Sequence, residues 1–136
     1  GLAAGGYIEA RSTLAGSPFK TATVRAYRSN WQDTGVNVAA GDRVSIVAKG
    51  TWGHQHEGRL YGPAGNGEVP DWNIVPTAPT GVLLGRIGNS DPFVVGESTT
   101  FTADSAGHLL LVMNDGRKGY DDNRGRVQVV VTLTEP

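Results

Sequence analysis

Apolar residues along this chain fall in short runs that alternate with polar residues, and none keeps the three-to-four-residue spacing of an amphipathic helix. The alternation is clearest in segments 44–49 and 127–134, which is typical of strands with one buried face. Segments 82–87 and 108–113 are almost entirely apolar and are expected to be strands covered on both faces. Weaker strand candidates are segments 23–28, 35–38, 93–95 and 99–103. About eight short strands predict an all-β protein folded as an antiparallel β-sandwich, with two sheets of about four strands.

Turn-forming residues separate the predicted strands and are concentrated in one long segment. Glycine accounts for 20 of the 136 residues, about twice its usual share of roughly 7%, so many turns and no long helices are expected. Segment 53–79 contains six Gly or Pro before residue 68, together with two histidines, three acidic residues and Trp72. A loop of this length in a small domain is usually functional, so this segment is a candidate binding region.

The charge balance and composition exclude several classes of function. Twelve Lys and Arg against thirteen Asp and Glu leave a net charge of −1, too balanced for binding nucleic acid or an anionic membrane by bulk electrostatics. No apolar run approaches the roughly 18 residues of a membrane span, so no membrane insertion is expected. The absence of Cys excludes a thiol nucleophile, a disulfide framework and a Cys-ligated zinc site.

The length is that of one domain, which we expect to span residues 22–136. Residues 1–21 match neither the strands nor the loops, and we interpret them as an N-terminal extension or linker. Their start, residues 1–6, is rich in glycine as linkers are, whereas residues 7–14 are a candidate for an extra edge strand.

Segment 114–125 is the strongest candidate for chemistry, and it is expected to be a hairpin loop because it lies between two strongly predicted strands. Asp115, Asp122 and Asn123 offer hard oxygen atoms, and the glycines allow backbone carbonyls to turn inward. This suits Ca²⁺, which takes about six to eight oxygen ligands. Three carboxylates within eight positions repel one another unless a cation lies between them. The alternative is an Asx-rich turn whose charges are solvated and partly neutralised by neighbouring Arg and Lys.

Two histidines in the long segment give a weaker signal for a metal. His54 and His56 would lie on one face of an extended segment, at a spacing compatible with a transition metal. The third histidine, His108, begins a strand that is expected to be buried and cannot join them. An exposed pair at the edge of a loop is therefore the simpler interpretation.

No residue combination indicates an enzyme. Glu68 and Asp71 are only three positions apart in a Gly- and Pro-rich loop, which does not indicate a glycosidase pair. No nucleophile–base pair and no Gly-x-Ser-x-Gly turn can be drawn from the sequence. Trp72 is a different kind of candidate, because an aromatic side chain with one polar edge is a common platform for a sugar ring.

An ordered series of short motifs is similar to one known family. The similarity runs from about residue 22 to residue 133, and its landmarks include Gly41-Asp42-Arg43-Val44-Ser45-Ile46, Tyr61-Gly62-Pro63-Ala64-Gly65, Pro70-Asp71, Asn114-Asp115 and Asp122-Asn123-Arg124-Gly125. Single motifs are weakly specific, but their order and the matching loop lengths make the series specific. The chain thus resembles the PA-IL-like family of calcium-dependent, galactose-binding lectins. This resemblance implies a small jelly-roll-like sandwich of two antiparallel sheets.

The resemblance also implies the ligands of one Ca²⁺ ion and part of a carbohydrate site. Carried across position by position, the metal ligands are the main-chain carbonyls of Gln55 and Gly119 and the side chains of Asp115, Asp122 and Asn123. Asp122 stands where the family has Asn, which adds a carboxylate. The carbohydrate contacts expected here are Asp71, Trp72, Asp115 and Asp122, with His54 and His56 in outer positions.

The half of the family pattern that selects the sugar is replaced in this chain. The His and Gln that flank the Pro-Asp segment in the family are Val69 and Trp72 here. The residue after the hairpin aspartate, normally β-branched, is Gly116. Stacking of Trp72 on a pyranose would compensate for part of the loss, so weak binding of galactosides is expected.

We therefore predict a calcium-dependent carbohydrate-binding domain, without enzymatic activity, for galactosides or related pyranosides with vicinal hydroxyls. The alternative is a calcium-stabilised structural or accessory module of a larger secreted protein that binds no sugar. The resemblance implies a secreted, extracellular or periplasmic location, and it is compatible with a homo-oligomer or with fusion to a larger enzyme.

Overall fold

Eight strands account for the regular structure of the computed structural model, which describes residues 19–55 and 58–134. In chain order they are β1 (Lys20–Arg25), β2 (Gln32–Val38), β3 (Arg43–Gly53), β4 (Leu83–Ile87), β5 (Phe93–Val94), β6 (Ser98–Thr102), β7 (Gly107–Met113) and β8 (Arg124–Thr134). The eight strands predicted between residues 22 and 136 each correspond to one of these, and the predicted all-β fold is confirmed. The candidate edge strand at residues 7–14 lies outside the described residues. No helix within the two described ranges is long and apolar enough to cross a membrane.

The strands form two four-stranded sheets, with the orders β1-β8-β3-β6 and β2-β7-β4-β5. Neighbouring strands are antiparallel throughout both sheets. Every connection except the one between β4 and β5 crosses from one sheet to the other, and this arrangement of eight strands is a jelly roll. The crossing loops therefore collect at the two ends of the sandwich.

The core lies between the sheets and follows the alternation seen in the sequence. In β8, Val129 is fully buried whereas Val130 is 38% exposed, because successive side chains of a strand point to opposite faces. In β4 and β7 the Leu, Val and Met side chains are nearly all buried, on both faces of the sheet. Ile74 and Val75, from the loop between β3 and β4, pack against this core.

The prediction that the strand of segment 108–113 is buried from its first residue is wrong at His108. That side chain is 54% exposed, and its Nδ1 lies 2.8 Å from Oδ2 of Asp33 on β2. His108 shares its face of the sheet with Leu110, which is itself only partly buried. This end of the outer face is therefore open to solvent, whereas Leu109, on the opposite face of the strand, is fully buried.

Strand pairing brings two loops together at one end of the sandwich. β3 and β8 pair over their whole lengths, so that Gly53 lies opposite Arg124, and Leu83 of β4 lies opposite Met113 of β7. The loop between β3 and β4, residues 54–82, is called the long loop. The loop between β7 and β8, residues 114–123, joins strands of different sheets that do not pair with each other, so the prediction that it closes a hairpin is wrong. We keep the name hairpin loop for these residues. Both loops leave the sheets at the same end and lie against each other there.

Candidate functional site

Asp115 is a buried carboxylate at the start of the hairpin loop, with 2% of its surface exposed. Its Oδ1 accepts a hydrogen bond from the backbone N–H of Gly116 (2.7 Å), and its Oδ2 accepts one from Nδ2 of Asn123 (2.9 Å). Burial raises the pKa of the Asp115 carboxyl, and the nearby Asp122 acts in the same direction, whereas the two hydrogen bonds and His54 oppose them. A carboxylate in this position is expected to take up a cation or a proton.

Asn123 lies beside this carboxylate and is 6% exposed. Its Nδ2 donates to Asp115 and also to the backbone carbonyl of Ala26 (3.0 Å). Its Oδ1 is buried and accepts no hydrogen bond within residues 19–55 and 58–134, which is uncommon for a buried polar atom. An unpartnered amide oxygen next to a buried carboxylate is a combination that a hard cation would satisfy.

Gly119 and Gln55 are the two residues whose main-chain carbonyls are predicted to bind the metal. Gly119 lies in the hairpin loop and Gln55 in the long loop, and both line the same cleft as Asp115. Gly119 is so close to Asp115 that a Cβ atom at position 119 would stand 3.1 Å from Oδ1 of Asp115. The N–H of Gly119 donates to the carbonyl of Gly116 (2.9 Å) and closes a tight turn around the carboxylate. On the long loop, the carbonyl of Gln55 accepts a hydrogen bond from Gly58 N–H (2.9 Å), and it retains a second lone pair.

These groups border a cleft of about 730 Å³ between the long loop and the hairpin loop, which is called the first cleft. Of the predicted metal ligands, Gln55, Asp115, Gly119 and Asp122 line it. Asn123 does not line it and reaches the site through its hydrogen bond to Asp115. The structure thus brings together five positions that are separated by up to half the chain.

Only some of the predicted carbohydrate contacts line the first cleft. His54 and Trp72 line the first cleft together with the two aspartates. Asp71 is exposed in the turn that precedes Trp72, and it is not among the residues that line the cleft. His56 lies outside the described residues.

Trp72 forms the exposed wall of the first cleft and packs directly on the hairpin loop. Its side chain is 57% exposed. The backbone next to it forms a β-bridge between Asn73 and Gly116, which fixes the spacing of the two loops. Because the hairpin loop supports one side of the exposed indole, the indole presents its other flat, apolar face to the cleft.

Tyr61 holds His54 at the edge of the cleft, a role that the sequence did not indicate. The two side chains are joined by a hydrogen bond of 2.7 Å between the Tyr61 hydroxyl and Nδ1 of His54. Burial raises the pKa of Tyr61, and the carboxylates of Asp115 and Glu68 raise it further, so the phenol stays protonated. The Tyr61 ring fills the space above Gly81, where a Cβ atom would stand 2.1 Å from it.

Asn114 fastens the long loop to the hairpin loop, and sequence reasoning also missed this role. The side chain is fully buried. Its Oδ1 accepts a hydrogen bond from the Val75 N–H (3.1 Å), and its Nδ2 donates to the carbonyls of Val75, Ala78 and Pro79 at 3.0–3.1 Å. The only sequence signal was its place beside Asp115 in one of the motifs that the family shares.

The donor atoms around Asp115 are oxygens of carboxylate, amide and main-chain groups, which are the ligands that Ca²⁺ prefers. In the part of the chain that the structure describes, no group of three His, Cys, Asp or Glu side chains is placed to hold a metal ion. A calcium site with two carboxylates, one amide oxygen and main-chain carbonyls is compatible with that result. The residues present therefore fit Ca²⁺ better than a transition metal.

Comparisons with known proteins point to one family. A family model described as PA-IL-like protein matches residues 20–135. Lectin A of Photorhabdus laumondii subsp. laumondii is 31% identical over 112 residues, which cover 82% of this chain and 88% of that protein. Among solved structures, a PllA-like lectin, the EclA N-terminal domain, superposes with a TM-score of 0.67 at 27% identity and covers 85% of this chain and 96% of that chain.

Proposed function

The chain belongs to the PA-IL-like family, and from that premise we propose that it is a lectin domain that binds galactosides or related pyranosides through one Ca²⁺ ion in the first cleft. The observation that carries the proposal is the pairing of a buried carboxylate, Asp115, with the unpartnered amide oxygen of Asn123. Asp115 lines this open cleft, whereas Asn123 reaches the site through its hydrogen bond to Asp115.

The chain's own residues would divide the work between the ion and the sugar. Asp115, Asp122 and Asn123 would hold Ca²⁺ with their side chains, and Gln55 and Gly119 would hold it with their carbonyls. The bound ion supplies positive charge that two adjacent sugar hydroxyls can reach in place of two waters. These ligands neutralise the ion, so that neutral hydroxyls can enter without any change of charge.

Three side chains would orient the sugar ring beside the ion. The Asp115 and Asp122 carboxylates would accept hydrogen bonds from the hydroxyls, which are stronger than neutral ones because the acceptor is charged. Trp72 would stack on the C–H face of the ring, since its indole forms the exposed wall of the cleft.

His54 would complete the contacts at the edge of the first cleft. Nδ1 of His54 is hydrogen-bonded to the Tyr61 hydroxyl, so Nε2 is the ring nitrogen that remains available to a ligand. A histidine in this position replaces some of the polar contact that the family obtains at the positions of Val69 and Trp72.

The rival function is a structural module in which calcium only fastens two loops. Asn114 and the Asn73–Gly116 bridge already fasten these loops through direct contacts between protein groups. An exposed indole next to the ligand set has no purpose in such a module. These two observations favour the lectin.

NMR titration of the full chain with galactose and a small panel of monosaccharides, with and without EDTA, tests the proposal. We expect shifts in the amide signals of residues 115–123 that require calcium, at affinities nearer millimolar than micromolar. Asp115→Asn should abolish them, whereas Asp121→Asn, which alters the neighbouring exposed acid, should not. A protein that calcium stabilises but that responds to no sugar would instead be the structural module.

A further inference from the structure

A second cleft of about 710 Å³ adjoins the first. Ile74 and Arg117 line both clefts, so a single wall, made from the long loop and the hairpin loop, separates them. The rest of the second cleft is formed by residues 29–31, by side chains on the outer face of β4 and β7, and by Tyr120.

Arg86 is the most distinctive side chain in the second cleft. It projects from β4, opposite Leu110 of β7, and its guanidinium carbon lies 4.9 Å from the centroid of the Trp31 ring. Its Nε is buried and makes no hydrogen bond to any residue that the structure describes. Stacking on an indole fixes the plane of a guanidinium group and leaves its edge free to donate to a planar or tetrahedral oxyanion.

Among the described residues, the charged side chains that line the second cleft are both cationic. Arg117 adds a second guanidinium group to that of Arg86, and neither Asp nor Glu from that part of the chain lines the cleft. Within residues 19–55 and 58–134, neither arginine forms an ion pair. Two like charges that share a partly buried cleft repel each other, and an anion between them removes that cost. Ser29 and Asn30 supply further polar groups at the rim.

We infer that the second cleft is a subsite for the carboxylate or sulfate group of an acidic glycan, whose neighbouring pyranose is held at the calcium site of the first cleft. This inference rests on the proposed function and names the class of glycan that the domain prefers. Arg86 would bind the oxyanion through its free edge, and Arg117, in the shared wall, would contact the ligand as it passes from one cleft to the other.

Continuity between the clefts favours a glycan over a free anion. The wall that they share is formed by residues that also line the calcium site. A glycan whose first sugar is held in the first cleft therefore has the second cleft directly beside it, across the wall that contains Arg117. A small free anion would gain nothing from this adjacency, because it would fill only part of a cleft large enough for a monosaccharide.

Calorimetric titration at low salt with three ligands tests the inference: a neutral galactosyl disaccharide and its counterparts with a carboxylate or a sulfate on the second residue. The charged ligands should bind about tenfold more tightly than the neutral one, as one charge-assisted hydrogen-bonded contact allows. Arg86→Gln should remove that preference, so that the charged ligands bind no more tightly than the neutral disaccharide. Arg126→Gln, an equal loss of charge on an exposed strand position, should remove nothing.

The indole N–H signals of the three tryptophans locate the binding event by NMR. Trp72 reports on the first cleft and Trp31 on the second, while Trp52, fully buried and hydrogen-bonded to the Gly81 carbonyl, serves as the reference. All three ligands should shift Trp72, and the charged ligands should shift Trp31 more than the neutral disaccharide does. Melting temperatures of the variants show that each of them is folded.

The outcomes separate this inference from the proposed function. Equal affinities for neutral and charged disaccharides would overturn the acidic-glycan subsite and leave the lectin intact. Failure of the neutral disaccharide to bind in calcium would overturn the lectin itself. Binding of inorganic sulfate at Trp31 as tightly as the sulfated disaccharide, with or without calcium, would show an independent anion site and also overturn the inference.

Discussion

The indole ring of Trp72 lies against the α-carbon of Gly116, so that a Cβ atom at position 116 would stand 2.9 Å from Cε3 of Trp72. No real Cβ contact is that short without a shift of one partner. The resemblance to the family implies a β-branched residue at position 116 and Gln at position 72. In this chain the tryptophan occupies space that a side chain at position 116 would need, so we expect the two departures to be linked.

Gly116→Val is expected to displace Trp72 and to destabilise the fold by about 1–3 kcal/mol, the usual range for overpacking. In a Trp72→Gln background the same change should cost much less, since the indole is absent. Denaturant unfolding of the two single variants and the double variant gives the coupling energy. Gly62→Val is the matched control, because a Cβ atom there would meet nothing closer than 3.9 Å. Additive effects of the two changes would contradict the linkage.

Calcium is expected to stabilise the fold through Asp115. An ion that binds only the folded state adds RT ln(1 + [L]/Kd), or about 2.7 kcal/mol at a hundredfold excess over Kd. Millimolar Ca²⁺ should thus raise the melting temperature by several degrees. Asp115→Asn should abolish the rise, and Asp121→Asn should preserve it. Identical melting curves with calcium and with EDTA would contradict the proposed metal site.

Metal-free protein is expected to gain stability on mild acidification. Burial raises the pKa of Asp115 above its ordinary value of 3.8, so the folded state binds this proton more tightly than the unfolded state. The free energy of unfolding therefore increases as pH falls through the raised pKa and levels off below 3.8. In EDTA, the difference in melting temperature between wild type and Asp115→Asn should grow in favour of wild type over this range. A difference that does not change with pH would show that Asp115 carries no buried charge.

The strands were predictable from sequence because each face of a strand lies either in the core or in solvent, and the residue types alternate accordingly. In β8, the alternation of Val129 and Val130 follows directly from a core on one face and solvent on the other. His108 was the exception, because the sequence shows an apolar run but not where the outer face of a sheet ceases to be covered. That limit depends on how far a distant loop extends over the strand.

The site was predictable only as far as the family motifs reach. They identified Asp115 and Asn123, whose contact the structure then shows. Tyr61 and Arg86 could not be found in this way, because their roles depend on partners that the fold brings close, His54 in one case and Trp31 in the other. Pairs of this kind leave no periodicity and no fixed spacing in the sequence.

Tyr61→Phe is expected to weaken galactoside binding about threefold, since it removes one hydrogen bond of ordinary strength. The lost contact is the 2.7 Å bond that orients His54 at the edge of the first cleft. The calcium-induced rise in melting temperature should stay unchanged, because Tyr61 is not a metal ligand. Tyr27→Phe, which removes an exposed hydroxyl away from the first cleft, is the control. A loss of the calcium response in Tyr61→Phe would place the tyrosine in the metal site instead.

Trp72→Ala is expected to weaken galactoside binding by about three- to tenfold, the equivalent of one aromatic stacking contact. More than half of the indole is exposed, so its removal leaves no buried cavity and should change the melting temperature little. The calcium response should also persist, since none of the proposed ligands is altered.

Trp72→Phe should keep most of the affinity, because a smaller aromatic ring still offers a flat apolar face. Sugar affinity measured by NMR and the calcium response measured by thermal unfolding therefore distinguish the contribution of Trp72 stacking from that of the metal site. Equal binding by wild type and Trp72→Ala would mean that the sugar is held by the carboxylates and the ion alone.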